Sequence, residues 1–179
     1  MTSASRSPTS SPLLDHSPAS LPARSYYDPA WFEQEQQHLW AKTWIYAGRV
    51  SEFSAETLSR RSIAGENLMV VSDSTGHLRA FHNTCRHRGS ELCVAETQPF
   101  NGKVIRCPYH AWAYDLNGQL RKTPHVGGPD VHEHENVNHC DYPLNEVRSH
   151  QWRDIIFVNI GGHAAAFETY ASVLIERCK

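Results

Sequence analysis

CRHRGSELCVAETQPFNGKVIRCPYH, residues 85–110, decides how the chain is read. It opens with Cys85-Arg86-His87 and closes with Cys107-Pro108-Tyr109-His110, so each end pairs one thiol with one imidazole. Two Cys and two His satisfy a tetrahedral zinc ion, but such sites place a Cys pair before a His pair. Here the two types alternate, and one spacing is a single residue. That order suits a two-iron cluster, with both thiolates on one iron and both imidazoles on the other. Each of two facing loops then reaches both metals. A structural zinc site is the competing reading of the same four residues.

The pattern resembles the Rieske [2Fe-2S] motif in the form carried by ring-hydroxylating oxygenase large subunits. Phe81-His82-Asn83 before the first pair, Trp112-Ala113-Tyr114 after the second and the stretch from Trp152 to Asn159 extend the likeness over roughly residues 24–160. The opening LPARSYYDPAWFEQE, residues 21–35, is most similar to the branch acting on quaternary amines such as choline or glycine betaine. Two features depart from the usual form. Nineteen residues separate His87 from Cys107, the extra length falling in the polar run Glu96 to Gly102, which reads as a hairpin loop. Ala111 stands where the family has Gly; if that position requires φ > 0, alanine is strained there.

The resemblance implies that Cys85 and Cys107 hold an inner iron and His87 and His110 an outer one. It implies electron delivery by a ferredoxin or a flavin-dependent NAD(P)H reductase. It also implies a mononuclear iron in a second, larger oxygenase domain, often that of a neighbouring subunit. The family's motif for that centre, Asn-Trp-Lys and then Asp-x-x-His-x-x-x-x-His, does not occur in the 179 residues. Asp130, His134 and His139 imitate its His spacing, as do Asp73, His77 and His82, without that context. The loop from His125 to Cys140 reads instead as a solvated, titratable segment. The chain is therefore expected to pass electrons and not to activate oxygen alone.

Replacing two thiolates by imidazoles lowers the cluster's negative charge. Rieske potentials span roughly −150 to +300 mV, against about −400 mV for plant-type ferredoxins. High-potential respiratory members are similar to one another in carrying an extra Cys in each box and a Ser just after the second. Here those slots hold Gly89-Ser90, Tyr109 and Ala111-Trp112, which places the expected potential at the low end.

A chain of 179 residues can bury a core. Seventeen basic and nineteen acidic residues give a net charge of −2, and with it no electrostatic case for nucleic acid or an anionic membrane. No apolar run approaches the roughly 18 residues of a membrane span. Cys93, Cys140 and Cys178 form no regular framework and are expected to be thiols of a reducing compartment. The cytoplasm is the expected location, or an organelle matrix or stroma if residues 1–24 are a transit peptide. Those residues hold seven Ser, four Pro, a single acid (Asp15) and no aromatic, which is the composition of a disordered tail.

Within residues 25–45, Asp28-Pro29 starts a helix, with Asp as N-cap and Pro at the first helical position. Phe32, Leu39, Trp40 and Trp44 give it an expected buried stripe. Residues 46–160 read as short strands, after the strand residues Trp44-Ile45-Tyr46: 68–71, 77–81, 103–106, 111–116, 146–150 and 154–160. Asp73 to Gly76 is a turn, and Asn117-Gly118 predicts a two-residue hairpin. The sum is mainly β: a Rieske-type antiparallel β-sandwich with an N-terminal helix, the ligand loops at one end and a C-terminal helical tail over 161–179. In that tail Phe167, Tyr170 and Leu174 form an apolar stripe, and the resemblance implies that it leads toward the catalytic domain. Trp112 and Tyr114 alternate on a strand, so they share a face, either shielding and tuning a cluster or filling a core. Arg86 and Arg88 either attract an acidic partner or solvate the loop tip. A free-standing Rieske ferredoxin is the rival function, and the helix at Asp28-Pro29 speaks against it.

Overall fold

Leu68, Met69, Val70 and Val71 are all buried, none more than 2% exposed. So short an apolar run demands a strand covered on both faces. In the computed structural model, which describes residues 19–100 and 103–178, that strand lies inside a seven-stranded antiparallel sheet. The sheet comprises β1 (Ile45–Arg49), β2 (Thr57–Ile63), β3 (Glu66–Ser72), β4 (Leu78–His82), β5 (Thr97–Pro99), β9 (Glu146–Trp152) and β10 (Ile155–Asn159). Their order is β1-β10-β9-β4-β3-β2-β5. A second sheet holds β6 (Val104–Arg106), β7 (Ala113–Asp115) and β8 (Leu120–Lys122), side by side. The mainly β, antiparallel reading holds.

Alternation along β3 divides the core. Met69 and Val71 join Leu58, Phe81, Ile105, Tyr114 and Leu120 in a cluster that includes Cys85, Cys93, Cys107 and Trp112. Leu68 and Val70 face the other way, onto Ile63, Ala80, Val147, Ile156 and Val158. The first cluster is the one that carries the thiols. Strands β2 and β5 were not among the expected strands. Thr97–Pro99 falls inside the polar run read as a loop, yet it pairs with Thr57–Ser59. Residues 101 and 102 of that run lie outside the described residues, as do residues 1–18 of the expected disordered tail.

The hairpin at Asn117-Gly118 differs in kind from the expected two-residue turn. Three residues, Leu116 to Gly118, form the loop: the Asp115 N–H donates to the Gln119 carbonyl at 2.9 Å, and the Gly118 N–H to the Asp115 carbonyl at 3.0 Å. The reason is Asp115, whose Oδ1 accepts the N–H groups of Asn117 and Gln119 at 2.9 and 3.0 Å and so fixes an Asx-type turn. Gly118 closes it at φ +80°, and a Cβ there would meet the Phe81 ring at 2.6 Å. Asp73 builds the same turn between β3 and β4, with Oδ1 accepting from Thr75 and His77.

Helix α1 (Pro29–His38) starts as expected, the Asp28 carboxylate accepting the Ala30 N–H at 2.9 Å. Its expected buried stripe does not form: Phe32, Leu39 and Trp40 are exposed, and only Trp44 is buried. The helix packs mainly on the 3-10 turns flanking it, Ala23–Tyr26 and Trp40–Lys42, rather than on the sheet. Trp44 has a different partner, the tail. Its ring meets Phe167 edge-on at 5.6 Å, and its Nε1 donates to the Ala165 carbonyl at 2.9 Å. The tail itself forms α2 (Phe167–Tyr170) and α3 (Ser172–Arg177), with Phe167 buried while Tyr170 and Leu174 stay exposed. None of the described helices is long and apolar enough to cross a membrane.

Candidate metal centre

The loops after β4 and after β6 are built on one hydrogen-bond frame. In the first, the Cys85 N–H donates to the Ser90 carbonyl at 2.8 Å, and the Gly89 N–H to the Cys85 carbonyl at 3.0 Å. In the second, the Cys107 N–H donates to the Trp112 carbonyl at 2.8 Å, and the Ala111 N–H to the Cys107 carbonyl at 3.1 Å. Each loop therefore closes on its own cysteine. The fourth residue after each Cys has positive φ, +73° at Gly89 and +59° at Ala111. The strain expected of alanine at position 111 is thus present.

A buried amide anchors the first loop. Asn83 Oδ1 accepts the N–H groups of Leu92 and Cys93 at 3.0 and 2.8 Å, and Asn83 Nδ2 donates to the Cys93 carbonyl at 2.8 Å and to Asn67 Oδ1 at 3.2 Å. Sequence reading missed this role, although Asn83 stands two residues before the first Cys, where an apolar residue would suit a strand end. Cys93 lies at the far side of that anchor. Its thiol donates to the Leu58 and Ala95 carbonyls, away from any ligand role.

The frame gathers all four expected donors at one end of the molecule. Cys85 and Cys107 are buried, while His87 and His110 are half-buried above them. The two imidazoles lie with ring centroids 4.7 Å apart. Trp112 stacks on His87 at 4.6 Å and 7° between planes, and the exposed Tyr109 leans on His110 at 3.7 Å. Trp112 precedes β7 rather than lying within it, and it shares a buried core with Tyr114, as the core reading of these aromatics has it. The Arg86 N–H donates to the Tyr114 hydroxyl at 3.1 Å, which leaves the hydroxyl proton for Cys85 Sγ at 3.3 Å. Burial and the adjacent Cys85 push the Tyr114 hydroxyl far up, so it remains a donor.

The donor set fits a two-iron cluster. His87 Nδ1 is buried and has no hydrogen-bond partner, a costly state for a lone pair unless something electropositive faces it. Burial, then nearby His110 and Arg88, hold His87 below its usual value, that is, as the neutral imidazole that binds metals. Burial pushes the Cys85 thiol up; the Tyr114 hydroxyl and the His87 backbone pull it back, and the neighbouring Cys107 raises it again. A buried thiol of this kind ionises with a cation beside it. Among the described residues no three His, Cys, Asp or Glu side chains gather as around a single ion. A binuclear group asks for something else, two protein donors per metal.

Residues 43–145 match the family described as the Rieske [2Fe-2S] domain. The chain belongs to that family. The chain is 36% identical over 152 residues to the carnitine monooxygenase oxygenase subunit of Escherichia coli K12, covering 83% of this chain and 38% of that protein. It is 34% identical over 163 residues to the glycine betaine monooxygenase oxygenase subunit of Pseudomonas aeruginosa, covering 89% and 35%. In three dimensions it superposes on the quaternary ammonium Rieske monooxygenase CntA with a TM-score of 0.74 at 28% identity, over 86% of this chain and 43% of that one. The chain thus spans between a third and two fifths of the length of those two curated relatives. It also superposes, with a TM-score of 0.74 at 28% identity over 87% of this chain and 41% of that one, on a quaternary ammonium Rieske monooxygenase whose structure gave insights into carnitine oxidation and inter-subunit electron transfer.

Proposed function

We propose that this chain carries single electrons as the iron–sulfur part of an oxygenase large subunit, with Cys85 and Cys107 on an inner iron and His87 and His110 on an outer one. Residues 46–160 form that unit. The observation supporting it is the pair of matched loops, which bring two buried thiols and two half-buried imidazoles together and leave His87 Nδ1 buried without a partner. When bound, the cluster supplies a one-electron couple. Tyr114 donates its proton toward Cys85 Sγ and so favours the more negative, reduced state. Trp112 lies flat on His87 and excludes water from that face of the ring. His87, whose Nδ1 is buried without a partner, would hold the metal through that nitrogen and keep its proton on Nε2.

Electrons come from a ferredoxin or a flavin-dependent reductase in a reducing compartment, the cytoplasm, and leave for a mononuclear iron in an oxygenase domain, that of a neighbouring subunit in an oligomer. The carnitine and glycine betaine relatives support a quaternary ammonium substrate for the whole protein. The test is EPR on anaerobically purified, dithionite-reduced protein, with iron, sulfide and zinc counted on the same sample. A rhombic signal with equal iron and sulfide is expected. Zinc-bearing protein with no signal after attempted cluster reconstitution overturns the reading in favour of a structural site.

A further inference from the structure

The outer face of the three-stranded sheet carries a feature for which the four donors have no use. Ile105, Tyr114 and Leu120 fill the core; Arg106 and Ala113, one residue on from Ile105 and one before Tyr114, lie on the other face, and the register shift between Ala113 and Tyr114 brings Lys122 to it. Arg106 pairs with Ala113, and Ala113 with Lys122, which sets the two cations on one face across three strands, their backbones about 10 Å apart. A groove of about 450 Å³ runs between this face and the Gln98–Phe100 segment, with Leu58, Phe100 and Val104 as its apolar lining and, among the described residues, no carboxylate on its walls. Asp115, the acid nearest in register, is held by two N–H groups of Arg121 at 2.9 and 2.7 Å. Among the described residues neither Arg106 nor Lys122 has an ion-pair partner.

Two unpaired cations over an apolar floor are a local excess of positive charge in a chain whose net charge is −2. Two cations in line along an open face suit acidic side chains on a protein surface. Arg106 directly precedes Cys107. We propose that this groove seats the electron donor, an acidic iron–sulfur or flavin protein, on the cysteine side of the centre. The His87/His110 rim is then left for the acceptor, so that donor and acceptor sit on separate faces at the same time. The inference rests on the electron-transfer reading above and assigns the entry face within it.

Stopped-flow reduction of the cluster-loaded protein by a reduced plant-type [2Fe-2S] ferredoxin tests it. Arg106→Glu/Lys122→Glu slows the second-order rate about tenfold or more at low ionic strength, and the difference closes at high salt. Arg106→Gln/Lys122→Gln slows it less, and dithionite still reduces every variant fully. Arg86→Glu/Arg88→Glu, beside the rim left for the acceptor, slows it less than the groove variant does. An unaffected groove variant, or slowing confined to the Arg86/Arg88 pair, overturns the assignment. Calorimetric binding of a redox-silent, gallium-substituted ferredoxin to the same variants reads the groove without the cluster. If no variant or parent is reduced by dithionite, the electron-transfer reading fails, while weaker gallium-ferredoxin binding by the groove variant still supports the docking face and unchanged binding overturns it.

Discussion

Ala111→Gly should make this domain more stable, although it deletes a methyl group from the rim of the site. Ala111 sits at φ +59°, where an L-residue other than Gly bears roughly 1–2 kcal/mol of steric cost. Gly gives back about 0.4–1 kcal/mol through the greater freedom of its unfolded chain. The net gain is therefore about 0.5–1 kcal/mol, or about 1–4 °C in Tm for a domain of this size. The other loop provides the mirror experiment. Gly89 has the same place in the frame at φ +73°, and an added Cβ would meet nothing within 4 Å. Gly89→Ala should thus lose the backbone contribution alone, by the same amount. Thermal melts of the cluster-loaded proteins, followed by far-ultraviolet circular dichroism at one scan rate and matched iron content, measure both. If Ala111→Gly melts no higher than the parent, or Gly89→Ala melts with it, backbone strain is not what distinguishes the two loops.

Tyr114→Phe keeps the buried ring and removes the donor 3.3 Å from Cys85 Sγ; a differential of about 1 kcal/mol between redox states lowers the reduction potential by about 40 mV, and an EPR-monitored titration showing no shift or a rise would contradict it. Cys93→Ala should retain full iron and sulfide content, whereas Cys85→Ala and Cys107→Ala lose the cluster; iron loss in the Cys93 variant would place that thiol among the ligands. Asp73 is held below the usual carboxylate range, chiefly by the Thr75 hydroxyl and then the backbone N–H groups of His77 and Thr75, against burial. For Asp115 burial opposes the shift but is outweighed by the Gln119 N–H, Arg121 and the Asn117 N–H. Both are depressed in the folded state, so their contribution is present above the unfolded value of about 3.9 and is lost as pH falls through the lower folded values. Asp73→Asn/Asp115→Asn keeps both turns and should flatten the acid limb of stability, read as urea midpoints against pH; parallel limbs would sink the argument.

The donors of the site were legible because their types and spacings are chemically restrictive: two thiols and two imidazoles in alternating order leave few arrangements. What holds them was less legible. Asn83 acts through the backbone of residues nine and ten positions on, and no local pattern announces such a reach. Strand β2 reads Thr-Leu-Ser-Arg-Arg-Ser-Ile, too polar for an apolar alternation, and it is ordered by pairing along its whole length with β3. The stripe on α1 failed for the opposite reason. Its apolar spacing is genuine, but periodicity says only that a face exists and not which surface, if any, receives it. The hairpin at Asn117 shows a finer limit, since the residue that selected the turn was Asp115, outside the dipeptide that signals one.

Strands β4 and β9 join the two halves of the large sheet through only two residue pairs, Ala80 with Val147 and Phe81 with Glu146. On their other edges the pairing is longer, five residue pairs between β4 and β3 and five between β9 and β10. All four donors lie on the β4 side, and the tail is fastened to the other: Arg148 donates to the Gly162 and Ala164 carbonyls, and Phe167 stacks on His150. A load applied through residues 161–178 is met first by these tail contacts and by the pairing of β10 with β1 and β9, all of it on the far side of the seam from the cysteine loops.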